Sequence, residues 1–384
     1  MQELHIDTAE GLKKLCDTLS SSPWLALDTE FVREKTYYPL FSLLQISNGE
    51  VAASVDPLAL DDLTPLLDVL YDTRITKVFH AGRQDLEIFH NLWGKLPTPL
   101  FDTQLAATLL GLGDQVGYGN LVKEVLGVEL EKGHARTDWS LRPLQPAQLR
   151  YALDDVIYLC DLYLQLKERL EQQGRDGWLK ADFDYLANPT TYVIQPEDAW
   201  QKVKGRQNLK GVQMAILQTL AGWRESEAQR ADKPKRWILK DEVLADLARR
   251  QPKDESQMGR IRGLEPGTIK RRGETLLKLI GEGQQIAKEQ WPQENKRPPR
   301  LTPNQDAMTD LLTCCLRLLA VENSITHTAL GNRKELERLV AGDRDADILH
   351  GWRGSLVGDK LLQILSGELQ PVIRDGVLIL QTPE

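Results

Sequence analysis

The sequence has few of the features that mark secreted or membrane proteins. Only four of its 384 residues are cysteines, and they lack metal-ligand spacing; two of them, Cys314 and Cys315, are adjacent. No apolar run reaches the roughly 18 residues of a membrane-spanning helix, and residues 1–16 contain none long enough for a signal peptide. These absences argue against a disulfide framework and a membrane span. We therefore expect a soluble protein with reduced thiols, located in the cytoplasm.

The net charge of −8 conceals an uneven distribution of charge along the chain. Residues 1–204 carry a net charge of −12, residues 205–300 carry +8 and residues 301–384 carry −4. An acidic first half joined to a basic middle indicates that the two parts have different functions. The basic segment could bind a polyanion, but from charge alone a solvated helical surface is slightly favoured.

Hydrophobic periodicity predicts a mixed first part and helical later parts. Strand patterns at 24–31, 40–47 and 51–56 are followed by alternating helices and strands, and then by helices up to residue 172. This order predicts an α/β fold in which a mixed sheet is flanked by helices.

Two charged, proline-containing stretches, 188–210 and 293–304, are candidate linkers. From residue 211 onward only helical patterns remain, and the apolar run in 371–384 receives no assignment. We predict one α/β domain and two all-α domains, with the bounds 1–204, 205–292 and 301–372.

The stretch LALDTEF, residues 25–31, has the apolar character of a buried strand but contains two carboxylates. Residues i and i+2 of a strand point to the same face, so Asp28 and Glu30 would lie side by side. Like charges withdrawn from water repel each other and need compensation. Alone, this pair is weak evidence for a catalytic site, because short motifs often match by chance.

Two later segments carry acids that could join this pair. Asp85 lies early in the helix after the strand ITKVFHA, at the edge of the sheet where sites form. Tyr151 and Asp155 are four residues apart and share one helix face, whereas Asp154 lies roughly 100° around that helix. A helix-dipole partner would explain Asp85, and an ordinary hydrogen-bonded pair would explain Tyr151 with Asp155. The ordered combination is much more specific than any member.

A cluster of carboxylates without basic partners is stable only if cations bind it. Mg²⁺ or Mn²⁺ takes oxygen ligands and usually retains water or substrate phosphate in its shell. Two such ions, about 3.5–4 Å apart, can stabilise the attacking and the leaving oxygen of phosphoryl transfer. Tyr151 would then orient the attacking water and help to deprotonate it. The residues therefore point to metal-dependent chemistry on a phosphate ester.

The segments LALDTEF, HAGRQDLEIF and YALDDVIYL resemble the three exonuclease motifs of the DEDD superfamily, in its tyrosine-containing branch. Their wider context, in DTEFVREKTYYP, LPTPLFDTQLAA and RTDWSLRPL, is similar to the ribonuclease D family. The segments RIRGLEPGTIKRRGETLLKLI and HGWRGSLVGDKLLQIL resemble the ends of two HRDC domains, which are helical modules. The resemblance covers residues 3–368.

This resemblance implies a ribonuclease H-like fold and a role for each acidic motif. Asp28, Glu30 and Asp155 would ligate one metal ion. Asp28 would bridge to a second ion, which Asp85 would hold through water, and Tyr151 would position the nucleophile. The resemblance also implies hydrolysis of RNA from its 3′ end with release of 5′-nucleoside monophosphates. The implied substrates are transfer RNA precursors and other small structured RNAs.

Further residues are candidates for contact with the substrate. Phe31 could stack on the terminal base, and Gln45 and His80 could line the nucleotide pocket, although core packing explains all three as well. Lys132 lies in a polar loop with Trp139, where a surface turn is nearly as good an explanation. In the basic segment the candidates for contact with RNA phosphates are Arg206, Lys210, Lys235, Arg236, Lys270, Arg271 and Arg272.

Three functions remain open at the level of sequence. The first is a metal-dependent 3′→5′ exoribonuclease, which the complete set of five catalytic positions favours. The second is a DNA exonuclease with identical chemistry, because contacts to the 2′-OH decide between RNA and DNA. The third is a non-catalytic RNA-binding protein on the same fold. We expect a monomer, because no coiled-coil or apolar interface pattern stands out.

Overall fold

The computed structural model describes residues 1–131, 133, 137–293 and 301–383. Contacts divide these residues into two compact units. The first unit combines residues 1–30 and 41–191 with the last helical block, 301–383. The second combines the short segment 31–40 with residues 192–293. The predicted boundary at residue 204 thus lies within the second unit, and the division into three domains stays a prediction.

A six-stranded mixed sheet forms the centre of the first unit, in the order β1-β4-β3-β2-β5-β6. β1 pairs parallel with β4, β3 pairs antiparallel with β4, and β5 lies parallel between β2 and β6. The strands are β1 (Gln2–Ile6), β2 (Trp24–Val32), β3 (Leu40–Ser47), β4 (Val51–Val55), β5 (Thr76–Phe79) and β6 (Leu100–Asp102). The predicted mixed sheet is confirmed, and β1 is a strand that the pattern analysis missed.

Helices flank this sheet, as the alternating pattern predicts. They are α1 (Ala9–Leu19), α2 (Thr64–Leu70), α3 (Arg83–Trp93), α4 (Thr103–Leu109), α5 (Tyr118–Leu126), α6 (Pro146–Gln172) and α7 (Lys180–Leu186). The β3–β4 turn forms because Gly49 adopts φ of 90°, while the Asn48 side chain accepts hydrogen bonds from the backbone N–H groups of Glu50 and Val51.

The long helix α6 packs its apolar face on the sheet. Pro146 at its first position and a capping box between Gln145 and Gln148 define where the helix begins. Further along, the Cys160 thiol lies 3.3 Å from the hydroxyl of Ser47 on β3, which fixes the helix over that face. Tyr151 and Asp155 lie one turn apart near the start of α6, outside the set of its buried residues, and both are partly buried.

The last helical block packs within the first unit. Its elements are α13 (Pro303–Glu322), α14 (His327–Leu330), α15 (Arg333–Val340), α16 (Gly351–Arg353), a π-helical turn (Gly354–Gly358), α17 (Asp359–Ser366) and the hairpin β7 (Gln370–Arg374) and β8 (Val377–Gln381). The hairpin corrects the prediction that strands end before residue 211. Trp352 stacks on Trp178 with ring centroids 4.6 Å apart, and Arg175 donates to the carbonyl of Asn323.

The second unit is helical apart from segment 31–40. Its helices are α8 (Val212–Arg230), α9 (Lys235–Ile238), α10 (Asp241–Arg250), α11 (Glu255–Met258) and α12 (Pro266–Gln285). α8 and α12 touch where a Cβ on Gly283 would lie 2.6 Å from the Ile216 Cα, so only glycine fits. In segment 31–40, the Tyr37 hydroxyl donates to the buried carboxylate of Glu225. Among the described residues, no helix combines the length and apolarity that a membrane crossing requires.

Lys77 on β5 carries a fully buried ammonium group. It donates to the carbonyl oxygens of Asp72, Ile75 and Thr98 at distances of 2.6–2.7 Å, so it joins two loops to the sheet. Burial lowers the pKa of Lys77 to about 8.

We expect Lys77→Met to lower the free energy of unfolding by about 3 kcal/mol, because three buried carbonyls lose their donor. Equilibrium urea denaturation would measure the change, with the exposed Lys13→Met as the control. Equal stability of the two variants would contradict this role for Lys77.

Candidate active site

Three carboxylates meet between the middle of β2 and α6. Asp28 and Glu30 point to the same face of β2 because they are two residues apart. Asp155 on α6 approaches them from above the sheet, and one oxygen of each residue lies within 4.8 Å of the others. The strand and the helix thus bring together side chains that are more than a hundred residues apart in sequence.

Asp85 reaches the same region from the first turn of α3. The Thr29 hydroxyl donates to its carboxylate at 2.5 Å, which ties α3 to the centre of β2. Asp85 is 7% exposed, and its charge is the strongest of the neighbouring charges that raise the pKa of Asp28. Asp85 therefore belongs to the acidic cluster, although it lies outside the close trio.

The turn that places α3 is held by Asp102. Its carboxylate accepts hydrogen bonds from the backbone N–H groups of Ala81 and Gly82 and also caps the start of α4. A side chain at Gly82 would lie 2.5 Å from the Cβ of Phe79, so the close approach requires glycine. Asp102 therefore holds the turn before α3 and the start of α4 together.

Burial and mutual repulsion raise the pKa values of the whole cluster. Burial, followed by the charges of Asp85 and Asp155, raises the pKa of Asp28 well above its usual range. The same causes, with Asp155 ahead of Asp85, raise the pKa of Glu30 to about 8. Burial and then the charge of Asp154 raise the pKa of Asp155 to about 7. Burial raises the pKa of Asp85 to about 6, against the hydrogen bond from Thr29.

The cluster therefore fits hard divalent cations. Its donors are carboxylate oxygens, and in the described residues the strongest neighbouring charges on Asp28, Glu30 and Asp155 are other carboxylates. Mg²⁺ and Mn²⁺ prefer such ligands and would remove the repulsion. Asp28, Glu30 and Asp155 could hold one ion, and Asp85 is the nearest further carboxylate whose charge acts on Asp28 most strongly.

Tyr151 lies one helical turn before Asp155. Burial, followed by the charges of Asp155 and Glu30, raises the pKa of Tyr151, so the phenol keeps its proton. Beside it opens a cavity of about 340 Å³, whose lining includes Leu130, Tyr151 and Asp155. The hydroxyl, the carboxylates and a space for a ligand therefore occur together.

The adjacent Asp154 has a different role. It forms an ion pair with Arg150, which also donates to Glu3 at 2.6 Å. The Asp154 carboxylate is thus paired with a guanidinium, unlike Asp155, which belongs to the close trio.

The residues predicted to contact substrate lie in varied surroundings. Gln45 is fully buried, and its amide atoms have no hydrogen-bond partner among the described residues, so burial argues against substrate contact. The ring nitrogens of His80 lie 2.9 Å from the Thr103 hydroxyl and 3.0 Å from the Val116 carbonyl, as in a core histidine. Phe31 is partly exposed at the start of segment 31–40. Lys132 lies outside the described residues.

The basic candidates fall into two groups. Some are engaged within the second unit: Lys235 pairs with Glu225, Arg272 pairs with Glu227, and Arg206 donates to the Val203 carbonyl. The side chains exposed to solvent are Lys210, Arg236, Lys270 and Arg271. Exposed cations can reach phosphates without first breaking an ion pair, so the second group suits that role better.

The polar loop around Trp139 differs from the surface turn that its composition suggests. Trp139 is only 2% exposed, and its indole ring lies nearly parallel to the ring of Tyr151, at 6.2 Å and 28°. From the sequence, a position near the substrate and a surface turn were the two explanations for this loop, and neither predicts that the Trp139 indole is buried. The sequence offers one signal for this burial, which is a tryptophan close to Arg142 in a short polar loop. An indole can stay buried in such a loop only if a side chain anchors the loop to the fold.

Comparison with known proteins places the chain in a family. A profile described as 3′-5′ exonuclease matches residues 4–171, and an HRDC domain profile matches residues 213–280. A ribonuclease D from Sphingobium indicum is 39% identical over 378 residues, which cover 97% of each chain. Another, from Zymomonas mobilis, is 39% identical over 375 residues, covering 97% of this chain and 96% of the relative.

Solved structures extend the comparison to the fold. The crystal structure of Escherichia coli RNase D, described as an exoribonuclease involved in structured RNA processing, superimposes with a TM-score of 0.79. It is 34% identical and covers 95% of this chain and 99% of its own. The catalytic core of RRP6 from Trypanosoma brucei shares the fold at 22% identity and a TM-score of 0.57, covering 73% of this chain and 79% of its own. The chain therefore belongs to the ribonuclease D family of 3′-5′ exonucleases.

Proposed function

We propose that the protein is a metal-dependent 3′→5′ exoribonuclease that shortens RNA and releases 5′-nucleoside monophosphates. Its substrates would be transfer RNA precursors and other small structured RNAs in the cytoplasm, and it would act as a monomer. The observation that carries the proposal is the convergence of Asp28, Glu30 and Asp155 within 4.8 Å, beside Tyr151. Carboxylates packed this closely favour cation binding, and a phenol at their side favours hydrolysis.

Each residue of the site has a distinct task in this mechanism. Two bound Mg²⁺ or Mn²⁺ ions would neutralise the cluster, polarise the last phosphodiester and stabilise the charge on the leaving 3′ oxygen. Asp28, Glu30, Asp85 and Asp155 provide the oxygen ligands. Tyr151 keeps its proton and orients the attacking water by a hydrogen bond. The bond between the last phosphorus and the preceding 3′ oxygen breaks, so the last nucleotide leaves with the 5′ phosphate.

The second unit would hold the body of the RNA through phosphate contacts. Its exposed cations, such as Lys270 and Arg271 on α12, are attached to a helix whose buried face includes Ile269 and Leu276. Contacts of this kind add affinity without reading sequence. They suit an enzyme that must act on many different 3′ ends.

A time course with 5′-labelled RNA that carries a single-stranded 3′ end tests the proposal. With Mg²⁺ we expect a ladder that shortens from the 3′ end, and with EDTA or with Asp28→Ala we expect intact RNA. A matched DNA oligonucleotide identifies the sugar preference. Intact RNA in every metal would favour a non-catalytic RNA-binding protein, and shortening of DNA alone would favour a DNA exonuclease.

The double variant Lys270→Glu/Arg271→Glu should bind RNA more weakly and with a shallower salt dependence. Loss of two phosphate contacts should reduce the slope of log K against log salt concentration by about 1.4–1.8. Fluorescence anisotropy with metal-free protein would measure both quantities. The exposed pair Lys334→Glu/Lys360→Glu introduces the same charge change in the last helical block. Equal effects from the two double variants would mean that net charge, rather than contact by α12, controls binding.

A further inference from the structure

The guanidinium group of Arg142 forms a hydrogen bond with each of its five N–H groups. Two of them form a fork with the carboxylate of Asp56, from Nε to Oδ2 at 2.5 Å and from Nη2 to Oδ1 at 2.8 Å. Asp56 is 2% exposed and follows the end of β4. A bidentate pair with a buried carboxylate holds the guanidinium in one orientation. Arg142 is thus a rigid anchor despite its flexible side chain.

The remaining N–H groups of Arg142 tie its own loop to the sheet. Nη2 donates to the Ser42 carbonyl on β3 at 2.7 Å, while Nη1 donates to the carbonyls of Trp139 and Leu141 at 2.8 Å. The loop therefore depends on one side chain for its position relative to β3 and β4. Within the loop, Arg142 holds the backbone of Trp139 directly through the hydrogen bond to its carbonyl.

The indole of Trp139 links the position of this loop to the candidate active site. Its ring lies nearly parallel to Tyr151, with centroids 6.2 Å apart, in the range of offset stacking. Tyr151 is partly exposed beside the cavity. One side of its ring faces the indole, which leaves the Tyr151 side chain fewer orientations. The direction of the Tyr151 hydroxyl thus depends on the position of the indole.

Stability alone does not account for an ion pair at this place. Taking both charges of such a pair out of water costs about as much as their attraction returns, and well-packed apolar residues would often serve equally well. A fork that connects two strands to one loop instead supplies geometric precision. That precision matters here because a reacting group displaced by about 1 Å can lose on the order of 10²-fold in rate.

We propose that Arg142, Asp56 and Trp139 are positioning residues for hydrolysis, because the Asp56–Arg142 fork fixes the indole that aligns the hydroxyl of Tyr151. The proposal rests on the function proposed above. None of the three residues touches the reacting atoms in this scheme. Their effect passes through Tyr151, and they should therefore change the rate of the chemical step rather than the affinity for RNA.

Trp139→Leu should lower kcat by about 10–100-fold with little change in KM, because Tyr151 loses the surface that aligns it. Trp139→Phe keeps a flat ring and should recover most of the rate. Arg142→Lys keeps the charge but cannot form the fork, so its kcat should lie between those of the wild type and Trp139→Leu. A rise in KM at constant kcat would mean that the loop contacts RNA directly, which would overturn the proposal.

A double-mutant cycle with Tyr151→Phe provides the decisive comparison. Tyr151→Phe alone should lower kcat by about 10²-fold. If Trp139 acts only through the hydroxyl of Tyr151, then adding Trp139→Leu to Tyr151→Phe should cost less than about 3-fold more. Multiplication of the two single effects would instead show an independent role for Trp139 and would refute the proposal.

Two controls separate the possible failures. Thermal unfolding and metal-free RNA binding of each variant show whether it still folds. If Trp139→Leu does not fold, Arg142→Lys takes its place in the cycle. If the wild-type protein does not hydrolyse RNA, the proposed function fails. If it does, and the cycle is additive, only the positioning role fails.

Discussion

Asp155→Asn should fold and bind RNA, yet hydrolyse it at least about 10³-fold more slowly, which corresponds to about 4 kcal/mol of lost transition-state stabilisation. The substitution replaces a carboxylate by an amide of nearly the same shape, so packing of α6 is preserved. It removes one of the three close oxygen donors and thereby weakens the metal site. It also removes repulsion with Asp28 and Glu30, because the charge of Asp155 raises the pKa of both.

Single-turnover hydrolysis of labelled RNA, with saturating enzyme and Mg²⁺, measures this effect without interference from product release. Asp161→Asn is the matched control, because Asp161 lies on the same helix and is exposed to solvent. Its rate should stay within about 2-fold of wild type, as is usual for surface substitutions. A normal rate for Asp155→Asn would contradict the proposed role of Asp155 as a metal ligand.

The metal-free protein should lose stability as the pH rises from about 5 to about 8, and Mg²⁺ should abolish this loss. The folded-state pKa values of Asp85, Asp155 and Glu30 are raised to about 6, 7 and 8, above those of the unfolded chain. Between the unfolded and folded pKa values, the folded protein binds more protons. Stability therefore falls as the pH rises through this window. The total loss should be on the order of 3 kcal/mol, since the sites are coupled and partly solvated.

Urea denaturation at several pH values, in EDTA and in excess Mg²⁺, tests this linkage. In the proposed mechanism Mg²⁺ would bind the ionised carboxylates, so its stabilising effect should grow with pH. In Asp155→Asn the fall in stability with pH should be smaller than in wild type, because one raised pKa is gone. A metal-free protein with constant stability over the same pH range would contradict the repulsion inferred for the cluster.

The acidic site was largely predictable because its residues follow local rules. Asp28 and Glu30 interrupt an apolar strand at alternate positions, and Tyr151 and Asp155 are separated by one helical turn. Periodicities of 2 and 3.6 residues determine which face each side chain takes, whatever the distant partners are. The strands and helices that carry these residues were predicted for the same reason, although β1 and the β7–β8 hairpin were missed.

The surroundings of the site were less predictable, because they depend on contacts between distant segments. The composition of the loop that contains Trp139 suggests a surface turn, but Arg142 anchors it to Asp56, 86 residues away in sequence. Gln45 lies in a strand pattern that shows neither how deeply its amide is buried nor what surrounds it. Among the basic residues, charge alone did not separate Lys235, which is paired with Glu225, from the exposed Lys270.

The sequence by itself determined most of the strands and helices of the first part, which acidic residues share a face and the largely helical character of the later blocks. These properties depend on side-chain periodicity and on the chemistry of single residues, both of which are local. Only the tertiary structure decided that segment 31–40 packs with residues 192–293, and that the last helical block joins the first unit, with Trp352 stacked on Trp178. Such pairings depend on the shape and burial of surfaces formed by residues far apart in the chain, which no local pattern records.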